Sequence, residues 1–217
     1  MTTLLRITCF ILSVVAIPSC ALFQDPTFER VVRVQALADP SFRGRNPGWM
    51  EELRARIEAA SVYFEREFEI RFVTVNAAAW PERERIASTA GLMVKLKQDF
   101  PTQKNDGAFD VIVAFTAEPI SRYLPTGRPR VDRIGDCRIG LGHYVVTTVS
   151  RAIRRTPEHP ELDYDTVALI HELAHIFGAE HVQDTGSIMN EKFDYRLAFD
   201  MKNHATILRN RFCPFAK

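Results

Sequence analysis

The segment His171–His181, reading His-Glu-Leu-Ala-His-Ile-Phe-Gly-Ala-Glu-His, constrains this chain more than any other stretch. On a helix, residues four apart stand one above the other on the same face, so His171 and His175 offer two imidazoles to one point in space. Gly178 then ends the helix, because glycine takes a left-handed terminus without a Cβ penalty and turns the chain sharply. Such a turn carries His181 back beneath the first two histidines. The fold must therefore hold a buried helix, a glycine-stopped end and a returning strand of chain in one fixed arrangement.

Three imidazole nitrogens around one point are a Zn²⁺ site, and they leave the fourth tetrahedral position open for water or substrate. That arrangement belongs to catalytic rather than structural zinc. Glu172 lies beside the ligand face, where its carboxylate reaches a water on the metal and can take its proton. The expected metal ligands are His171, His175 and His181, and the expected catalytic base is Glu172. The remaining histidines, His143, His159 and His204, read as structural or solvent-facing.

These residues match the HExxHxxGxxH signature of the metzincin zinc metalloproteases position by position, and Ser187, Ile188, Met189 and Asn190 resemble that family's Met-turn. The short interval from His181 to Met189 is similar to matrixins and compact bacterial members. Ala174 stands where matrixins commonly have glycine, and no tyrosine follows Met189 in the astacin manner. The resemblance extends over about residues 28–213, where the alternating elements look like the N-terminal lobe of matrixin-like and reprolysin-like domains. It implies an α/β zincin fold, with a twisted mixed sheet, an active-site helix and a small irregular C-terminal subdomain. It also implies a zinc-dependent endopeptidase acting on peptides or proteins, with Met189 packed beneath the ligands without binding the metal. Substrates of such enzymes lie extended along an edge strand, which by position falls within Val131–Leu141. The alternative reading is a catalytically silent, zinc-containing extracellular module that binds protein in the same groove.

The order of elements agrees with that fold. Arg30–Leu37 has the β-branched content of a strand, and Leu53, Ile57, Ala60 and Phe64 recur at helical spacing from about Trp49. Phe68–Val75 returns to period two. Pro81 is placed to open a second helix containing Ile86, Ala90, Met93 and Leu96 or Lys97. Phe109–Phe115 is continuously apolar, as a strand covered on both faces must be. Residues 118–133 read as an irregular loop, Asp136–Val149 as one or two strands, and Asp163 or Asp165 as the cap of the helix over Val167–Phe177. Met201–Arg211 forms a last helix.

Residues 1–20 read differently. Met1–Arg6 is a weakly basic start, Ile7–Ile17 is apolar, and Ile17, Pro18, Ser19 and Cys20 resemble a bacterial lipobox. The expectation is a signal peptide, with Cys20 lipidated and the catalytic domain occupying 24–217, its N-terminal lobe running to about 178. An ordinary secretory cleavage nearby is the alternative, so the chain is either a cell-envelope lipoprotein or a secreted or periplasmic protein. Removing Cys9 with the leader and lipidating Cys20 leaves Cys137 and Cys213, which either bridge in an oxidising compartment or stay as two buried thiols.

The charge narrows the partners. The 217 residues carry 28 basic and 27 acidic side chains, a formal net charge of +1. Nothing in that balance favours a polyanion, and the basic runs Arg128–Arg133 and Arg151–Arg155 read as solvated surface rather than a nucleic-acid interface. The sequence fixes no oligomeric state.

Overall fold

The computed structural model describes residues 30–45, 47–81, 86, 88–102, 107–118, 128–149, 163–191 and 198–216. The leader, Cys20 and His159 therefore lie outside the described residues. The elements in chain order are β1 (Arg30–Ala38), α1 (Pro40–Arg43), α2 (Trp49–Phe68), β2 (Ile70–Ala79), α3 (Thr89–Asp99), β3 (Val111–Thr116), β4 (Arg130–Val131), β5 (Tyr144–Thr148), α4 (Tyr164–Ile176) and α5 (Met201–Asn210). Among the described residues no helix is long and apolar enough to cross a membrane.

The sheet runs β2-β1-β3-β5-β4. β1, β2, β3 and β5 are parallel, and β4 lies antiparallel to β5 at one edge. Because side chains alternate across a strand, β1 sends Val32, Val34, Ala36 and Ala38 to one face while Leu37 goes to the other. β3 divides in the same way: Val111, Val113 and Phe115 join the larger core, and Ile112 and Ala114 the smaller. Its continuous apolar run is thus the signature of two covered faces.

The larger core is closed by α2 and α4. α2 buries Leu53, Ile57, Ala60, Phe64 and Phe68, a stripe at helical spacing, and Phe64 meets Phe72 edge-on with ring centroids 5.1 Å apart. α3 closes the smaller core with Leu92, Met93 and Leu96 against Tyr144 and Val146.

α3 corrects one expectation. It begins at Thr89 rather than near Pro81, because the Ser88 hydroxyl accepts the Gly91 amide at 3.1 Å and caps the helix there. Before it, the Trp80 amide still bonds the Ala38 carbonyl at 2.8 Å, which holds the chain to the sheet past the end of β2.

The site is positioned by both ends of α4. Asp163 caps its start, accepting the Thr166 amide at 2.8 Å, and Arg56 of α2 pairs with Asp163 at 3.0 Å and Asp165 at 3.7 Å. At the other end Gly135 donates its amide to the His175 carbonyl at 2.9 Å. No side chain fits there, since a Cβ on Gly135 would sit 1.8 Å from the Ile176 carbonyl oxygen. Between Gly178 and α5 the described residues, 179–191 and 198–200, form no helix or strand, and a disulfide joins Cys137 to Cys213, with Cα atoms 5.1 Å apart.

Candidate active site

α4 ends in a pair of bonds that explains how His181 returns. The Gly178 amide donates to the His175 carbonyl at 3.0 Å, and the Ala179 amide donates to the Ala174 carbonyl at 3.1 Å. This is a Schellman turn, whose left-handed residue is Gly178 with φ of 94°. Three residues later His181 faces the helix.

The three side chains converge. His171 Nε2, His175 Nε2 and His181 Nε2 form a triangle with each edge 3.1 Å. Their other nitrogens determine what these atoms carry. His171 Nδ1 lies 2.7 Å from the Ile188 carbonyl and His175 Nδ1 lies 2.6 Å from the Ala179 carbonyl. A carbonyl only accepts, so both Nδ1 atoms hold the proton and both Nε2 atoms present lone pairs. His181 Nδ1 faces the Glu191 carboxylate at 3.1 Å, an ion-pair contact that favours a proton on that nitrogen and leaves Nε2 free. Three lone pairs at this separation repel unless a cation lies among them.

Zinc fits that place. Bonds of about 2.0–2.1 Å to one tetrahedral Zn²⁺ hold ligand nitrogens about 3.3 Å apart, close to the 3.1 Å edges found here. Among the described residues this is the one cluster of three metal-binding side chains. Burial also keeps the two imidazoles on α4 neutral, pushing His171 down to about 3 and His175 down to about 4.

Glu172 is buried and lines the same cleft as the histidines. Burial pushes its carboxyl up to about 8, and the nearby charge of Arg130 acts against that shift. A divalent cation among the neighbouring imidazoles acts in the same direction as Arg130 and favours the carboxylate.

Met189 is fully buried, and the turn that carries it is tied down on both sides. Its carbonyl accepts the Val182 amide at 3.1 Å, its amide donates to the Ser187 hydroxyl at 3.1 Å, and the Ile188 amide donates to the Ala198 carbonyl at 2.8 Å. Ser187 in turn donates to Asp200, the cap of α5, at 2.8 Å. The carbonyl that orients His171 therefore belongs to a braced segment.

β4 forms the opposite rim. The Asp132 amide bonds the Tyr144 carbonyl at 3.0 Å, and Val131 stands opposite Val145. Antiparallel bonding alternates along a strand, so the Val131 amide and carbonyl point away from β5. This edge strand begins earlier than expected and stops sooner. Residues 136–140 form a tight turn instead, closed by the Gly140 amide on the Asp136 carbonyl at 2.7 Å. There Gly140 takes φ of 92° beneath Ala216.

Arg128, Arg130, Ile134 and Glu191 also line the cleft. Arg128 and Arg130 thus stand at the site rather than on indifferent surface. The sequence marks Arg128 and Arg130 only as part of an irregular loop and a basic run, because a lone charge in an irregular stretch carries no period. His143 and His204 lie elsewhere: His143 Nδ1 contacts the Asp110 carbonyl at 2.8 Å, and the His204 ring lies 5.0 Å from that of Phe68.

A mixed sheet above a helix that bears two imidazoles and a neighbouring carboxylate, with a third imidazole returned to them by the turn at Gly178, defines a metzincin-type zinc endopeptidase. The chain belongs to metallo-peptidase family M12, whose reprolysin-type model matches residues 29–196. Among curated protein sequences no relative matches. Of solved structures, archaemetzincin from Methanopyrus kandleri is similar in fold, with a TM-score of 0.54 and 20% identity over 82% of this chain and 94% of that one. A chain from a chaperone–substrate complex gives a TM-score of 0.57 at 10% identity, over 85% of this chain and 35% of that one. At these identities the likeness is one of fold alone.

Proposed function

We propose that Glu172 is the general base of this endopeptidase, that His171, His175 and His181 are its zinc ligands, and that Met189 forms the floor beneath them. The observation that carries this reading is the convergence of three Nε2 lone pairs in a cleft that Glu172 also lines. Bound zinc supplies polarisation of the scissile carbonyl and lowers the pKa of a water from about 16 toward 7. A Glu172 carboxylate oxygen accepts the proton of the attacking water and later delivers it to the leaving amine nitrogen. No covalent bond to the chain forms at any stage. An extended peptide pairs with the outward amide and carbonyl of Val131, adding a strand to the sheet edge.

Glu172→Gln tests the assignment, since it keeps the shape of the side chain and removes the base. With zinc retained, kcat/KM on a denatured protein substrate falls by about 10²–10⁴-fold. Retention of wild-type turnover by the zinc-loaded variant overturns the assignment. A wild type as inactive as the variant across diverse proteins supports the silent binding module instead.

Residues 1–20 act in this reading as a lipoprotein-type leader, cleaved before Cys20 so that a lipid on Cys20 anchors the catalytic domain of residues 24–217 at the cell envelope, or as an ordinary leader whose cleavage releases that domain. The bridge between Cys137 and Cys213 supports an oxidising destination. Mass spectrometry of the mature N-terminus tests the anchor: an unmodified terminus at another residue rejects it.

A further inference from the structure

His181 differs from its two partners in what orients it. His171 and His175 are buried on α4 and donate to main-chain carbonyls. His181 lies beyond the helix, its side chain is 44% exposed, and among the described residues its Nδ1 partner is a side-chain carboxylate. Glu191 Oε1 stands 3.1 Å from that nitrogen. The other oxygen of the same carboxylate, Oε2, accepts from Arg128 Nη1 at 3.2 Å. Arg128 precedes β4 on the opposite rim, so one carboxylate links the third imidazole to the far wall of the cleft.

We infer that Glu191 is a positioning residue for His181, with Arg128 as its counter-anchor. The inference rests on the reading of His181 as a ligand. A carboxylate that accepts Nδ1–H fixes the rotation and tautomer of the ring and makes Nε2 a better donor to a metal. Exposed ion pairs add little to fold stability by themselves. The consequence of the contact therefore falls on metal affinity rather than on folding. Arg128 fixes the second oxygen, which restricts the rotation of the carboxylate and holds the first toward His181.

The test is zinc affinity, measured by chelator competition on the zinc-stripped full chain, with the melting temperature in excess EDTA as a control for folding. Glu191→Ala weakens zinc binding by about 10–100-fold and leaves the EDTA melting temperature unchanged. Glu191→Gln, which keeps an oxygen beside Nδ1 but removes the charge, loses less. Arg128→Ala loses less than Glu191→Ala, because the contact with His181 remains. Affinity of Glu191→Ala within about twofold of wild type overturns the inference, being far below the effect of removing such a partner. A wild type that binds no zinc condemns the ligand assignment instead, which keeps the two failures apart. If Glu191→Ala does not fold without metal, the His181 Nδ1 proton resonance of zinc-loaded Glu191→Gln decides. A shift confined to His181 supports the inference, and an unchanged resonance overturns it.

Discussion

At Gly178 two independent constraints meet in one residue. Its φ of 94° is a conformation that side chains disfavour, at a cost of about 1–2 kcal/mol for an L-residue. Space adds a second restriction, because a Cβ there would lie 2.6 Å from both the Asn210 side-chain nitrogen and the Gly135 carbonyl oxygen. The amide can move, but the carbonyl belongs to the backbone that clasps the end of α4 through the 2.9 Å bond to His175. Gly178→Ala therefore costs more than the conformational penalty of about 1–2 kcal/mol, and relief of the strain moves His181 out of the triangle. A urea midpoint and a zinc titration check both effects. A variant with wild-type midpoint and one tightly bound zinc contradicts this account of the turn.

The helix α4 is held by what surrounds it, and its start depends on Asp163. That carboxylate caps the helix through the Thr166 amide at 2.8 Å and also receives Arg56 at 3.0 Å. Removing a cap of this kind costs about 0.5–2 kcal/mol, and Arg56 keeps Glu52 at 3.1 Å and Asp165 as partners. Asp163→Ala thus lowers the urea midpoint by an amount in that range without changing zinc stoichiometry; an unaltered midpoint removes the cap from the account. The same element shows why part of the molecule was legible beforehand. Leu53, Ile57, Ala60 and Phe64 repeat every turn, and the ligand signature is itself helical periodicity followed by a glycine stop. Where periodicity ends, so does legibility. Ser88 outcompetes Pro81 as a helix start through one side-chain bond, and β4 is two residues long because the chain turns away at Gly135 and Gly140 to fit beneath Ile176 and Ala216. Arg128 and Glu191 are brought together across 63 residues by the fold alone.

For the molecule as a whole, the buried site ties stability to pH when zinc is stripped away. Burial holds His171 at about 3 and His175 at about 4 in the folded state, against about 6.5 in an unfolded chain. The unfolded state therefore binds more protons below pH 6.5, and each histidine's contribution to stability is complete above that value and lost as pH falls toward the folded pKa. Glu172 works in the opposite sense. Burial raises it to about 8, so the folded state keeps a proton that the unfolded state releases above about 4.3, and stability falls as pH rises toward 8. Near pH 5 two histidines oppose one carboxyl, leaving a net gain of about 1.4 kcal/mol per pH unit that declines to zero by about pH 6.5. Above 6.5 the carboxyl acts alone and the slope reverses. The EDTA-treated protein is thus most stable near pH 6.5, and in Glu172→Gln the alkaline decline disappears while the acidic one steepens. Urea midpoints from pH 5 to 8 measure both limbs; an alkaline limb that survives in Glu172→Gln assigns it to some other group and refutes the buried-carboxyl explanation.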